Sequence, residues 1–139
     1  GHTLSNTENW DIYTIKIDLF GNIIWERVLG NPRGFNPKFI HDEAWDIKCL
    51  PDSGCIVVGG TGDEYRRYTR RCGNDDDNSN TWHIYLIKYD LDGTIAWQKT
   101  FGEGQNIDWA GEAIDLTPDG GAIVALDNGE FGFVKIEPF

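Results

Sequence analysis

The sequence has no methionine, few basic residues, only three cysteines and no long apolar run, and each scarcity excludes something. No stretch approaches the roughly 18 to 20 consecutive apolar residues of a membrane-spanning helix, and no basic segment followed by an apolar core opens the sequence. Neither membrane insertion nor a signal peptide is therefore read from it. Without even an initiator methionine, the sequence reads as a processed chain or an excised piece. With 12 Lys and Arg against 23 Asp and Glu, the formal net charge is -11. That field repels a polyanion and argues against nucleic acid as a partner. His2, His41 and His83 are scattered, and no Ser, Cys or carboxylate stands at a spacing that marks a nucleophile or an acid/base pair. No enzymatic activity and no cofactor are read from such a pattern. No Asn is followed by x-Ser/Thr, so N-glycosylation is excluded on sequence.

Cys49, Cys55 and Cys72 are an odd number, so in an oxidising compartment at least one is free or paired between chains. None of them has a second cysteine two to four residues away with a histidine nearby, which removes a zinc site. Cys49 and Cys55 align with Leu116 and Ala122 of the repeat described next, and read as small apolar strand residues. A disulfide from Cys72 to either would pin the long insert.

What the sequence does contain is itself, twice. Residues 10 to 30, WDIYTIKIDLFGNIIWERVLG, align without a gap to residues 82 to 102, WHIYLIKYDLDGTIAWQKTFG, and 11 of 21 positions are identical. The match continues from IKCLPDSGCIVVGG (47–60) to IDLTPDGGAIVALD (114–127), and a third copy begins at FGFVKIE (131–137). The chain divides into an extension (1–9), repeat 1 (10–60), a charged insert (61–81), repeat 2 (82–128) and the start of repeat 3 (129–139).

Inside each copy the texture is β. Short segments rich in Ile, Val, Tyr and Trp are bounded by Asp-Gly, Phe-Gly, Ser-Gly and Gly-Gly, the residues that hairpin turns require. The pattern predicts nine strands, at 10–18, 23–29, 42–50, 54–60, 82–90, 94–101, 109–116, 121–127 and 131–137. Each is expected to pair with its sequence neighbour in an antiparallel meander. The one helical periodicity is EYRRYTRRC in the insert, where Tyr65, Tyr68 and Cys72 fall on one face.

Tandem four-stranded units of 40 to 50 residues are the pattern of β-propeller blades. DIYTIKIDLFGNIIW, HIYLIKYDLDGTIAW and EAIDLTPDGGAIVAL resemble the propeller repeats of secreted bacterial proteins, over about 110 of the 139 residues. The resemblance implies an all-β fold of blade-like meanders and an extracellular or cell-surface setting. It carries no catalytic motif. The family's phasing makes 42–101 one whole blade, with two outer strands before it and three inner strands after it.

A ring needs typically 4 to 8 blades, so two repeats leave blade faces and strand edges without cover. Three arrangements would cover them: copies assembled head to tail, the C-terminal strands of one completing a blade with the N-terminal strands of the next, a longer propeller of which this is a fragment, or two four-stranded sheets packed as a sandwich. The first makes the chain a structural protein that associates with itself in a ring or filament. Its candidate interface is Trp10, Ile12, Tyr13 and Ile15 at one end and Phe131, Phe133 and Val134 at the other. A binding module for glycan or another ligand is the alternative reading. Four tryptophans are matched between repeats and read as packing, whereas Trp45 and Trp109 are not, and these two are candidates for a ligand surface or an interface. In the insert, Arg66, Arg67, Arg70 and Arg71 precede Asp75, Asp76 and Asp77, opposed blocks suited to pairing locally or across a subunit boundary. Asp75, Asp77 and Ser79 begin like a calcium loop, but Asn80 and Leu86 stand where a hand-like site needs Gly and Glu, leaving at most a looser Ca²⁺ cage.

Overall fold

The computed structural model describes residues 2–3, 9–35, 37, 40–62, 82–102, 108–127 and 130–139, and every structural statement below concerns these. The helical periodicity in EYRRYTRRC and the Arg, Asp and Cys72 candidates of the insert lie outside them.

The described chain is all-β and antiparallel, without a helix. Nine strands carry the fold: β2 (Asp11–Ile17), β3 (Ile23–Leu29), β4 (His41–Cys49), β5 (Cys55–Gly62), β6 (His83–Tyr89), β7 (Ile95–Phe101), β8 (Ala110–Leu116), β9 (Ala122–Asp127) and β10 (Phe131–Ile136). All nine lie where the turn and alternation pattern predicts them, within one or two residues at each end. A further two-residue strand, β1 (His2–Thr3), pairs with Ile12 and Asp11 at the edge of β2. It falls in the segment read as an extension, since two residues are too few to show a period-2 pattern.

The strands form three sheets in chain order: β1-β2-β3, then β4-β5-β6-β7, then β10-β9-β8. This is two outer strands, one whole unit and three inner strands, as the phasing implies, and not the two four-stranded sheets of the sandwich arrangement. Turn chemistry explains the pairings. At the β2–β3 turn, Asp18 Oδ1 accepts the N–H groups of Phe20 and Asn22, and Gly21 takes φ 87°. At the β6–β7 turn, Asp92 accepts from Thr94 N–H and Gly93 takes φ 80°. In the PDSG turn Ser53 adopts φ 66° where PDGG uses Gly120 at 85°, while Asp52 and Asp119 accept from Gly54 and Gly121 in the same way. The short Asp side chain holding the turn's amides is what lets one sequence grammar close all four hairpins.

The middle sheet is the centre of the molecule because its strands are apolar on both faces. On β6, Ile84 and Leu86 pack with Ile56, Val58, Ile114, Val124 and Leu126 against the third sheet. The alternate residues Tyr85, Ile87 and Tyr89 pack with Ile12, Trp25 and Val57 against the first. Alternation along one strand thus feeds two separate clusters. Each such side chain, fully buried, contributes roughly 1.5–3 kcal/mol, and β6 alone supplies five. Trp25 fastens the first sheet: its Nε1 donates to the Leu91 carbonyl at 3.1 Å and its ring lies 5.5 Å from that of Tyr89.

Candidate assembly surfaces

Some surfaces of the repeat units have a buried counterpart at the matching position elsewhere in the same chain. On the middle sheet, Tyr85, Ile87 and Tyr89 are 0% exposed beneath the first sheet. Their counterparts on β2 are Tyr13, Ile15 and Ile17, and among the described residues no sheet lies over them: Ile15 is 42% and Ile17 53% exposed. The polar detail repeats too. Tyr85, itself buried, donates its hydroxyl to Oε1 of the exposed Gln98, and Tyr13 donates to Glu26 Oε2 at 2.6 Å on the open face.

The opposite end mirrors this. Ile56, Val58, Ile84 and Leu86 face the third sheet and are fully buried, whereas their counterparts Ile123, Ala125, Phe131 and Phe133 point outward. Phe131 and Phe133 are 77% and 60% exposed and stack edge to face at 4.8 Å. Each end of the described stack therefore presents an apolar face that, elsewhere in the chain, receives another sheet. Aromatic and aliphatic side chains grouped this way mark interaction surfaces.

Between the first and middle sheets a groove of about 380 Å³ opens along the inner edge of β2, lined by Tyr13, Thr14, Ile15, Ala44, Trp45, Asp46, Ile47 and Val57. Its origin is a β-bulge. The β4–β5 register skips Trp45, which swings out of the ladder and stands 53% exposed, and the same irregularity recurs between Gly111 and Ala113. Along that inner edge β2 is paired with β1 only at Asp11 and Ile12. On the middle sheet the equivalent edge of β6 is paired with β5 over seven residues.

The candidates read from the sequence thus fall into separate places. Tyr13 and Ile15 share the open face of the first sheet, and Phe131 and Phe133 that of the third. Ile12 is buried in the chain's own core, and Val134 leans inward against the core between the middle and third sheets, so neither side chain belongs to the open faces. Trp10 stacks on His41 with ring centroids 5.0 Å apart. Trp45 lines the groove, whereas Trp109 packs against the cluster on the other side of the middle sheet, so the two tryptophans form no common platform. Asp75, Asp77 and Ser79, proposed for Ca²⁺, and Arg66, Arg67, Arg70 and Arg71 lie outside the described residues. Among the described residues no group of three or more His, Cys, Asp or Glu side chains is placed to hold a metal ion.

One polar feature was not legible in the sequence. Asp11 and Asp42, 31 positions apart, are both buried and converge on Gly30, where a Cβ would lie 2.0 Å from Asp11 Oδ1 and 2.8 Å from Asp42 Oδ2. Asp42 accepts the Asn31 N–H at 2.8 Å. Burial pushes its carboxyl up to about 6, and the neighbouring Asp11 adds to the rise while hydrogen bonds oppose it. In the second repeat His83 and Trp109 take these two places around Gly102. The acidic pair is thus a departure from the repeat, and its convergence on Gly30 depends on the fold.

Compared with known proteins, the chain matches no family model and no curated protein. The fold defines a class, an all-β protein of antiparallel meander repeats stacked in chain order.

Proposed function

We propose that the chain is a structural protein that associates with itself, the open face of its first sheet receiving the open face of the third sheet of another copy. The observation that carries this reading is the repeat equivalence: side chains at Tyr85, Ile87, Ile56 and Val58 are buried by an adjoining sheet, and the same positions at Tyr13, Ile15, Ile123 and Ala125 have none. A contact of one end with the other is heterologous, so successive copies make a ring where the rotation closes and a filament where it does not. In propeller terms, each contact adds blade to blade. The fastening has a template inside the chain: Lys16 Nζ donates to the Leu91 carbonyl at 3.2 Å across the first and middle sheets. Lys135, the counterpart of Lys16, pairs within its own chain with Asp119 at 2.9 Å.

Edge pairing supplies the other route by which terminal strands complete a neighbour, since among the described residues the inner edge of β2 beyond Ile12 and the outer edge of β10 carry no strand. The resemblance to secreted repeat proteins goes with an extracellular or cell-surface setting. Sedimentation velocity over a hundredfold concentration range tests the proposal. Species larger than the 15.7 kDa monomer are expected, and a monomer at every concentration overturns it.

A second reading rests on Trp45 and Tyr13 in the 380 Å³ groove, where two aromatic rings flank a concave surface of a kind that takes a sugar or a peptide. Binding on a glycan array that is lost in Trp45→Ala would favour it over self-association.

A further inference from the structure

We infer that Cys49 and Cys55 are a convertible thiol pair, closing as a cross-strand disulfide at the mouth of the β4–β5 hairpin and leaving Cys72 as the odd cysteine. The two residues are direct partners in the antiparallel register. Their neighbours fix the kind of pair. Leu50 N–H donates to the Gly54 carbonyl at 3.0 Å, so 50 and 54 form the hydrogen-bonded pair that closes the turn. Alternation along the ladder then makes 49 and 55 a non-hydrogen-bonded pair, whose Cα atoms approach to about 4.5 Å with both side chains on one face. That separation lies at the near end of the range that disulfides span, roughly 4.4–6.8 Å.

Exposure sets the order of events. Cys49 is exposed, whereas Cys55 is buried in the cluster that holds Trp25 and Tyr89. Burial, with Cys49 beside it, also keeps the Cys55 thiol above its usual pKa. Cys49 is therefore the first to react. As thiolate it attacks a small-molecule disulfide, forming a mixed disulfide and releasing one thiol. Cys55 then loses its proton and attacks the Cys49 sulfur, releasing the second thiol. The protein gives up two protons and two electrons, and the small disulfide takes both and leaves as two thiols. The second repeat has Leu116 opposite Ala122 at this place, so the fold does not need a disulfide here and the pair is an addition to it.

Trypsin separates the alternatives, because Cys49 and Cys55 share the peptide 49–66 while Cys72 lies in 72–88. The full chain is equilibrated with oxidised glutathione, alkylated at acid pH under denaturing conditions and digested. Peptide 49–66 is expected two hydrogen masses lighter than its dithiol form and without alkyl groups, with Cys72 carrying alkyl or glutathione. A cross-linked 49–66/72–88 species, or 49–66 alkylated at both cysteines, overturns the proposal. So does 49–66 with glutathione on Cys49 and alkyl on Cys55, since the pair then fails to close. The variant Cys55→Ser should stop at the mixed disulfide on Cys49. Cys49→Ser should leave Cys55 unmodified in the folded chain, and rapid glutathionylation of Cys55 there would contradict the assigned order.

Discussion

Tyr13 and Tyr85 occupy one position of the repeat under different cover: each hydrogen-bonds through its hydroxyl to the residue thirteen places on, but only Tyr85 lies beneath another sheet. The pair separates what the hydroxyl contributes in solvent from what it contributes in the interior. Tyr85→Phe removes a hydrogen bond made by a fully buried side chain, a net loss of about 0.5–1.5 kcal/mol even though the exposed Gln98 regains water. Tyr13→Phe exposes Glu26 to water, which replaces the lost donor. Urea unfolding of the two variants should therefore show a clear fall in midpoint for Tyr85→Phe and none outside error for Tyr13→Phe. Equal effects would mean that the first sheet does not shield Tyr85.

The two open faces make a matched expectation for assembly. Ile15→Lys at one end and Phe133→Lys at the other each place a charge where the proposed contact would have to desolvate it. Either one should abolish the larger species in sedimentation while leaving the unfolding midpoint of the monomer nearly unchanged, because both side chains already face water. Asp18 N–H donates to Asn22, so the even residues of β2 face β3 and the odd ones the free edge, and Tyr13→Pro removes a backbone donor from that edge. Assembly that survives Ile15→Lys and Phe133→Lys but fails with the strand-edge variant Tyr13→Pro would assign the contact to edge pairing.

The fold was legible in the sequence because its signals are local and repeated. Asp-Gly and Pro-Asp-Gly turns, with Ile, Tyr and Val alternating between them, fix strands that can pair only with their neighbours. The partition into sheets of two, four and three followed from the phasing that the resemblance to propeller repeats implies. Face was harder. Ile12 and Ile15 look alike in the repeat, yet an odd separation puts them on opposite sides of β2, and Ile12 went to the core while Ile15 stayed outside. Trp45 stands exposed because a bulge lifts it from register, and a bulge is not visible in one-dimensional alternation. The Asp11–Asp42 and Cys49–Cys55 juxtapositions depend on register across strands, which residue spacing constrains only after the pairing is known.

Glycine at the turns offers a test of sheet-to-sheet packing. Gly21 and Gly93 are counterparts, at φ 87° and 80°, and a side chain at either is strained. A Cβ at Gly21 meets nothing within 4 Å, whereas one at Gly93 would lie 2.6 Å from the Trp25 indole. Gly21→Ala should cost about 1 kcal/mol, the cost of φ > 0 for a residue with a Cβ. Gly93→Ala adds the displacement of Trp25 from the core between first and middle sheets, and core disturbance of that kind costs about 1–3 kcal/mol more. Tryptophan fluorescence checks the mechanism: a red shift in Gly93→Ala without unfolding, and no shift in Gly21→Ala, is the expected result.

Asp42 gives the pH dependence a sign. Its folded pKa is raised to about 6 from an ordinary 3.8, so between these values the folded state holds a proton that the unfolded state has released. Stability from this group is therefore present below about pH 4 and is lost as pH rises through 6. At pH 7 the folded chain carries a buried charge beside Asp11, at a cost of roughly 3 kcal/mol for a shift of that size. Asp42→Asn removes the charge and keeps an oxygen to accept the Asn31 N–H. The variant should be more stable than the parent at pH 7 and indistinguishable from it near pH 4. The comparison must be made as a difference between variants, because Asp18, Asp46, Asp92 and Asp119 are held below the ordinary carboxylate range by hydrogen bonds and pull total stability the other way in acid. Denaturant melts of both proteins from pH 4 to 8 would show the gap opening between 4 and 6, and a gap that is constant with pH would place the Asp42 carboxylate in contact with solvent.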